Sequence, residues 1–502
     1  MNRTQKFVIN SITTAVNQIV VMIVGFITPS LMIRTYGSEI NGLVSSINQL
    51  IGYISLVEAG LSGAAIYSLY KPLAEHDEKG INSIVSAARK FYLQAGYIFS
   101  SAALVLSFVY GYLKSSASIS FSTIFFLTLI LSVNGCVDFF VLSRYRVILT
   151  ADQRTYVISI VGIVQTIIRT IIIVVCAFAK INVVVLYTLT LLPILIKIIV
   201  LFGYCKKNYK FLNFNEEPNI AALGRRYDVI YQQILGMVQT GAPAIIATIV
   251  LDFFSVSIYA VYNMVMSGLN GILSIFISGL PAGFGEIIAK KEYETLKDTT
   301  SQFEVAYYFI LTIVYGITFA MMLPFIKIYT CNFKDTNYIL PAFSFFIVLN
   351  GLLYNLKTPQ SMLIISAGMY KETRWRVTLQ GIIIVIGGFI LAPIWGLSGI
   401  MIASCLSNLY RTIDLLFFVP KYITKGAVMD SAIRMFRVIL NILVINIPCF
   451  LVEINPNGYI GWITWAMILG CWAVFVTCAS SYMFDKRECQ KLLIRIKSIM
   501  RR

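Results

Sequence analysis

The chain has 502 residues, 58% of them hydrophobic and 13% charged, with a formal net charge of +17. A soluble protein of this size carries about a quarter charged residues, so the composition excludes an ordinary soluble enzyme. The apolar residues come in blocks of about 20, the length a helix needs to cross a hydrocarbon core of about 30 Å, and lipid tolerates only helical spans of that kind.

Fourteen spans are predicted, at about 8–33, 42–70, 91–113, 119–143, 155–179, 183–205, 229–251, 256–283, 304–329, 338–366, 377–393, 397–420, 436–452 and 460–484. The basic stub "MNRTQK" precedes the first span, which is too long for a signal-peptide core and is read as a retained helix. The loops carry a strong asymmetry. Of the 40 Lys and Arg residues, thirty-one fall on the side shared by the two termini, including Arg144, Arg146, Arg376, Arg434 and seven in the tail. The positive-inside rule makes that side cytoplasmic, in the cell membrane. The positive charge then faces anionic lipid rather than nucleic acid, and the tail "KRECQKLLIRIKSIMRR" reads as a basic amphipathic segment on that surface.

No chemistry-bearing motif emerges. The nine cysteines show no CxxC or Cys/His spacing, and the single histidine, His76, lies in a loop, so no zinc or haem site is expected. There is no P-loop, dinucleotide fingerprint or nucleophile elbow. No loop approaches the roughly 50 residues of a small domain. The chain is expected to move something rather than transform it, without a cofactor, with a proton or sodium gradient as a candidate energy source.

The longest internal polar segment, "KKNYKFLNFNEEPNIAALGRRYD" at 206–228, separates six spans from eight. The ends of the second and eighth spans, "LVEAGLSGAAIYSLYKPLAE" and "FISGLPAGFGEIIAKKEYETLK", are alike and lie about 220 residues apart. Two like-oriented six-helix lobes follow: helices 1–6 at 1–205 and helices 7–12 at 229–420, around a central cavity. Two additional helices at 421–484 and the basic tail at 485–502 complete the expected all-α polytopic membrane protein.

Polar faces mark the helices expected to line the cavity. Asn10, Thr14, Asn17 and Thr28 share a face of the first span. Ser55, Glu58 and Ser62 lie together on the second. Gln232, Gly236, Gln239 and Pro243 do so on the seventh, and Asn263, Ser267, Asn270, Ser274 and Ser278 form one stripe on the eighth. The competing reading is interhelical hydrogen bonding alone. Pro29, Pro243 and Pro281 are expected to kink their helices.

"GLSGAAIYSLYKPLAEHDEKGINSIVSAARKFY" and "YAVYNMVMSGLNGILSIFISGLPAGFGEIIAKKEYE" resemble the polysaccharide-biosynthesis branch of the multidrug/oligosaccharidyl-lipid/polysaccharide exporter superfamily, across essentially the whole chain. The resemblance implies a flippase for undecaprenyl-pyrophosphate-linked oligosaccharide, with the first, second, seventh and eighth helices bordering the cavity and its lateral portal. Membrane lipids and polysaccharide-assembly proteins would be its partners.

A charge at mid-bilayer costs about 2.5–3.5 kcal/mol on insertion scales and is usually functional or paired. The predicted spans hold Glu58, Asp138, Arg169, Lys197, Lys357, Arg411 and Asp414. Arg411 and Asp414, spaced i, i+3, can neutralise each other. Glu58 is expected to face the cavity, either pairing with a cation such as Arg169 or taking up a coupling ion. Arg169, Lys197, Lys357 and Arg411, with Arg34 at the outer mouth, suit a pyrophosphate; Asn17, Gln239, Asn263 and Asn270 suit sugar hydroxyls. The alternatives are a peptidoglycan-precursor flippase or a drug/cation antiporter of the same superfamily. From another class come a membrane-embedded polymerase or ligase and a non-transporting scaffold.

Overall fold

A computed structural model describes residues 3–58, 61–220, 226–277, 280–452, 454–491 and 494. Ser278, Arg225 and the tail from 495 onward lie outside the described residues, as does the side chain of Gln232. The described chain is helical with no strand, and ten of its helices are long and apolar enough to cross a membrane. Large apolar side chains such as Ile19, Val105, Ile199, Ile390, Leu443 and Phe475 stay exposed along these helices. On a soluble monomer such faces would be anomalous; on a polytopic membrane protein they meet lipid.

One of the ten segments holds the first predicted span and the first part of the second, and another holds the eleventh and twelfth together. Helix α1 (Arg3–Ile54) turns at Gly37, whose φ of 87° and ψ of 164° only glycine adopts freely. The other double-length helix, in the second unit, turns at Gly396 (φ 57°, ψ −136°). The remaining predicted spans are the shorter seventh and a broken tenth.

The chain packs as two compact units, 1–248 and 249–502. In the first, α1 is followed by a 3₁₀ turn (Ser55–Glu58), α2 (Leu61–Glu75), α3 (Glu78–Lys114) and α4 (Phe121–Val137). A π turn (Asp138–Leu142) leads into α5 (Ser143–Ala151), so the predicted fourth span continues eight residues further as helix. Then come α6 (Thr155–Phe178), α7 (Val183–Leu189), α8 (Leu192–Asn208) and α9 (Arg226–Val250).

The first arm of α1 runs parallel to α6 in fixed register. Lys6 bonds Asp152, Asn10 accepts from the Tyr156 amide, Thr14 meets Ser159 and Tyr36 donates to the Ile181 carbonyl, at sequence separations of 145 or 146 throughout. Asp152 also accepts from Tyr209 Oη at 2.6 Å; burial, then that hydrogen bond, hold the phenol well above its ordinary range, so it stays a donor. Helices α3 and α4 instead form an antiparallel hairpin, capped by Asp77 and Ser120, with Phe108 against Phe121 at one end and Gly96 against Phe140 at the other.

The predicted linker is not a free tether. Asn82 of α3 donates to the Phe211 carbonyl (2.9 Å) and accepts from the Asn213 amide (3.0 Å), and Arg89 reaches Asn215 (2.8 Å). The unit boundary falls one helix beyond it: Tyr53 of α1 donates to the Met237 carbonyl of α9 at 3.0 Å and covers Gly241, so α9 is part of the first unit.

The second unit comprises α10 (Phe253–Ile277), α11 (Leu280–Ala289), α12 (Tyr293–Tyr329), α13 (Pro341–Leu356), α14 (Thr358–Ala367), α15 (Tyr370–Val419), α16 (Val428–Leu451) and α17 (Gly458–Phe484), with a π turn over Pro420–Thr424. Pro281 is the second described residue of α11; residues 278–279, between α10 and α11, lie outside the described residues, and the kink expected at Pro281 falls on them. The two arms of α15 fold back on each other about Gly396. Gln380 pairs with Asn408, Arg376 with Asp414, and Gly387 faces Ala403. Helices α16 and α17 pack on α12, where Ile445, Ala473 and Val476 bury against Ile313 and Ile317 and Trp462 Nε1 donates to the Met321 carbonyl at 3.0 Å.

A methyl group built on Gly396 meets nothing within 4 Å, so replacing it tests the backbone alone. Gly396→Ala is expected to destabilise the protein by about 1–3 kcal/mol. Gly25→Ala, in helical conformation with equal free space, is expected to stabilise by about 0.5–1 kcal/mol. Thermal melts in detergent check both.

Candidate functional site

The first cluster forms where two helices break. The 3₁₀ turn that ends at Glu58 points its carboxylate at α5: Arg146 Nη2 donates to Glu58 Oε1 at 2.8 Å and Nη1 to Asp138 Oδ2 at 2.7 Å. In a regular α-helix, positions i and i+8 lie about 80° apart. The π turn between Asp138 and Arg146 absorbs one residue and brings them to one face. Glu58 Oε2 is buried without a hydrogen-bond partner among the described residues. Lys197 of α8 lies within electrostatic reach of Asp138 and Arg146. Two carboxylates and two cations thus balance, with the three ion-paired side chains a quarter to a third exposed (25%, 26% and 31%).

The expected partner of Glu58 is therefore corrected: it is Arg146, not Arg169. The sequence placed Arg146 in a loop, but α5 carries it as helix beyond the predicted end of the span. Arg169, on α6, is half-buried and forms no ion pair among the described residues. Arg34, just before the Gly37 turn, is exposed and also forms none.

The second cluster lies in the second unit. Lys357 is the single residue between α13 and α14, 5% exposed. Its Nζ donates to Asn408 Oδ1 at 2.6 Å and sits 5.0 Å from the Tyr354 ring centroid. Asn408 in turn donates to Asn350 (2.8 Å) and accepts from Gln380 (3.3 Å). No carboxylate among the described residues pairs with Lys357. One turn beyond Asn408, Arg411 pairs with Asp414, as its spacing allows, and Asp414 is shared with Arg376. Two arginines share one carboxylate and Lys357 has none, so this cluster carries more cations than acids.

The predicted polar stripes divide. Asn10 clamps the α5–α6 turn through the Gln153 carbonyl (2.8 Å). Asn270 accepts from Asn355 at 2.8 Å, in a buried network with Tyr315 and Tyr307. Both act as interhelical bonds. Asn17, Gln239 and Asn263 are half-buried with no hydrogen bond among the described residues, and Asn17 Oδ1 is fully enclosed.

Sequence reasoning missed a third cluster. Glu304 of α12, 2% exposed, accepts from Arg434 (2.8 Å), Ser431 (2.7 Å) and Gln360 (2.8 Å). Asp485 bridges Arg434 and Arg437. The i, i+3 spacing of Arg434 and Arg437 on a helix with an apolar opposite face was the available signal. Among the described residues no three His, Cys, Asp or Glu side chains gather as metal ligands.

The fold has known counterparts. The inward closed conformation of the lipid II flippase MurJ matches 95% of this chain and 99% of its own, with a TM-score of 0.69 and 15% identity. The inward-facing conformation of a multidrug resistance MATE family transporter of the MOP superfamily matches 84% of this chain and 96% of its own, with a TM-score of 0.66 and 12% identity. A MOP superfamily transporter from Pyrococcus furiosus, described by a reversed polarity of its binding pocket, matches 86% and 96%, with a TM-score of 0.55 and 13% identity. Neither a protein-family model nor a curated protein sequence matches the chain. At these identities the likeness establishes the fold: an all-α polytopic membrane protein with the architecture of the MOP superfamily structures.

Arg146→Gln leaves two carboxylates facing each other. Removing one partner of a fully buried pair costs about 3–5 kcal/mol; the partial exposure here reduces the expected loss to about 1–3 kcal/mol. Adding Glu58→Gln and Asp138→Asn should restore most of it, whereas Arg169→Gln should leave the melting temperature unchanged.

Proposed function

We propose that the protein is a flippase that carries undecaprenyl-pyrophosphate-linked oligosaccharide repeat units across the cell membrane by alternating access, for surface polysaccharide synthesis. The observation that carries this reading is Lys357: a buried lysine amine with amide and aromatic neighbours and no counter-charge among the described residues. A buried charge is costly unless paired, and an anionic cargo would supply the partner when it binds. Arg376 and Arg411 around one Asp414 add to the positive field. Arg169 and Lys197 are the candidate cations of the first unit, and the amides of Asn17, Gln239 and Asn263, which form no hydrogen bond among the described residues, suit sugar hydroxyls. A carrier of cationic drugs would be expected to present a net acidic site instead.

Lipid II as cargo is the second reading, favoured by the near end-to-end match to a lipid II flippase. Glu58, held by Arg146 through one oxygen only, is either a structural partner or the group that loads a coupling ion on its free oxygen. The Lys and Arg asymmetry supports a cytoplasmic location for both termini, and polysaccharide-assembly proteins are the expected partners.

Reconstitution into liposomes with lipid-linked oligosaccharide tests this. Lys357→Gln removes the charge and leaves an amide N–H donor on the Asn408 side. It is expected to slow flipping by roughly tenfold or more, the equivalent of losing one charge-assisted contact, with the melting temperature retained. Unchanged flipping would overturn the assignment, and preferential movement of lipid II would replace the cargo. Gradient-stimulated flipping that Glu58→Gln abolishes would make Glu58 the coupling group; flipping indifferent to both would leave it structural.

A further inference from the structure

Asp414 is held from two directions. Arg411 lies one turn before it on the second arm of α15, and Arg376 reaches it from the first arm, which the Gly396 turn folds alongside. Each arginine uses one nitrogen for the purpose: Arg376 Nη1 meets Oδ1 and Arg411 Nη1 meets Oδ2. Neither makes another hydrogen bond or ion pair among the described residues, so Nε and Nη2 of both guanidinium groups remain as unused donors. A guanidinium nitrogen can be walled in, as Arg144 Nε is. Among the described residues no nitrogen of Arg376 or Arg411 is enclosed without a partner, and the Arg376 side chain is 41% exposed.

Arg376 is also pre-oriented. Its guanidinium lies 5.2 Å from the centroid of the Phe418 ring on the opposite arm, and Phe418 packs on Tyr422 at 4.7 Å. Stacking of this kind fixes the plane of the fork. Lys357, which has no carboxylate of its own, is within electrostatic reach of Arg411. Two arginine forks converging on one anion are an arrangement suited to phosphate. Here a side-chain carboxylate fills that place. A diphosphate offers more oxygens and more negative charge than a carboxylate, so it can displace Asp414 from both arginines. Asp414 belongs to the same chain and competes at an effective concentration on the order of millimolar or above.

We propose that Asp414 is a built-in competitor of the cargo: it occupies Arg376 and Arg411 while the site is empty, yields them to a diphosphate, and re-engages them to release it. The inference rests on the reading of the cargo as a diphosphate-linked lipid and adds what sets its residence time. Tight binding alone would hold the cargo in place. An internal anion of lower charge keeps the arginines ordered and makes departure fast.

The test uses the purified full-length protein with farnesyl diphosphate, a soluble isoprenyl diphosphate, and farnesol as the uncharged control, read by titration and thermal shift. Asp414→Asn preserves the shape of the side chain and removes the competing charge. It is expected to bind farnesyl diphosphate roughly tenfold tighter than the wild type and to release it correspondingly more slowly, with farnesol unaffected. Farnesyl diphosphate should also raise its melting temperature by more than that of the wild type, since the ligand replaces the lost carboxylate. Arg376→Gln leaves Asp414 on Arg411 and is expected to weaken binding roughly tenfold, so it tests the site even if Asp414→Asn does not fold. Binding that Asp414→Asn leaves equal or weaker, or that Arg376→Gln leaves unchanged, makes Asp414 a brace between the two arms and overturns the inference, while the effect of Lys357→Gln on flipping still decides the cargo. An equal gain for farnesol overturns it as well. No binding to the wild type or to either variant overturns both readings.

Discussion

A break in a helix inside hydrocarbon exposes backbone groups that lipid cannot satisfy, and a charge there is costly unless something compensates it. In this chain the two costs are met at the same places. Glu58 closes the 3₁₀ turn that interrupts the second predicted span, Asp138 opens the π turn that interrupts the fourth, and Lys357 is the one residue between α13 and α14. The second π turn, at Pro420–Thr424, follows directly on the α15 arm that carries Arg411 and Asp414. Helix irregularity supplies room and direction for the charged groups, and their hydrogen bonds hold the irregularity in place. The rest of the architecture is regular helix packing.

The clusters differ in electrical character, and that difference divides their roles. Around Arg146 the charges cancel, and the guanidinium fork ties the second predicted span to the fourth. Around Asn408 they do not: a lysine without a carboxylate sits beside an arginine pair sharing one aspartate. The first is suited to hold helices in register or to release them, the second to attract an anion. Glu304 and Arg434 form a third arrangement, closed and fully bonded, that ties the last two helices to α12 and α14.

The helical architecture was legible because hydropathy reports length, and length is what a bilayer imposes. The double-length helices were not, since a turn made by a single glycine leaves no polar loop to read. Arg411 and Asp414 were readable as a pair from i, i+3 spacing alone. Glu58 was readable as a buried charge, but its partner was not, because a π turn shifts helical phase by one residue and has no sequence signature. Arg146, Arg376 and Arg434 were read as loop cations for a related reason: helices continue past the apolar stretch, and the charge that marks a membrane boundary is the same charge that folds back into a cluster. The polar stripe on α10 overstated the case, as Asn270 serves Asn355 rather than open space.

The turns at Gly37 and Gly396 carry a consequence for how the molecule is probed. Each joins two predicted spans with no intervening loop, so on those faces the chain presents helix ends in place of an exposed segment. An epitope, protease site or fluorescent reporter placed there has no slack to occupy and must displace the glycine's conformation. Silence from such a tag would report a damaged hairpin, not the side of the membrane on which it lies.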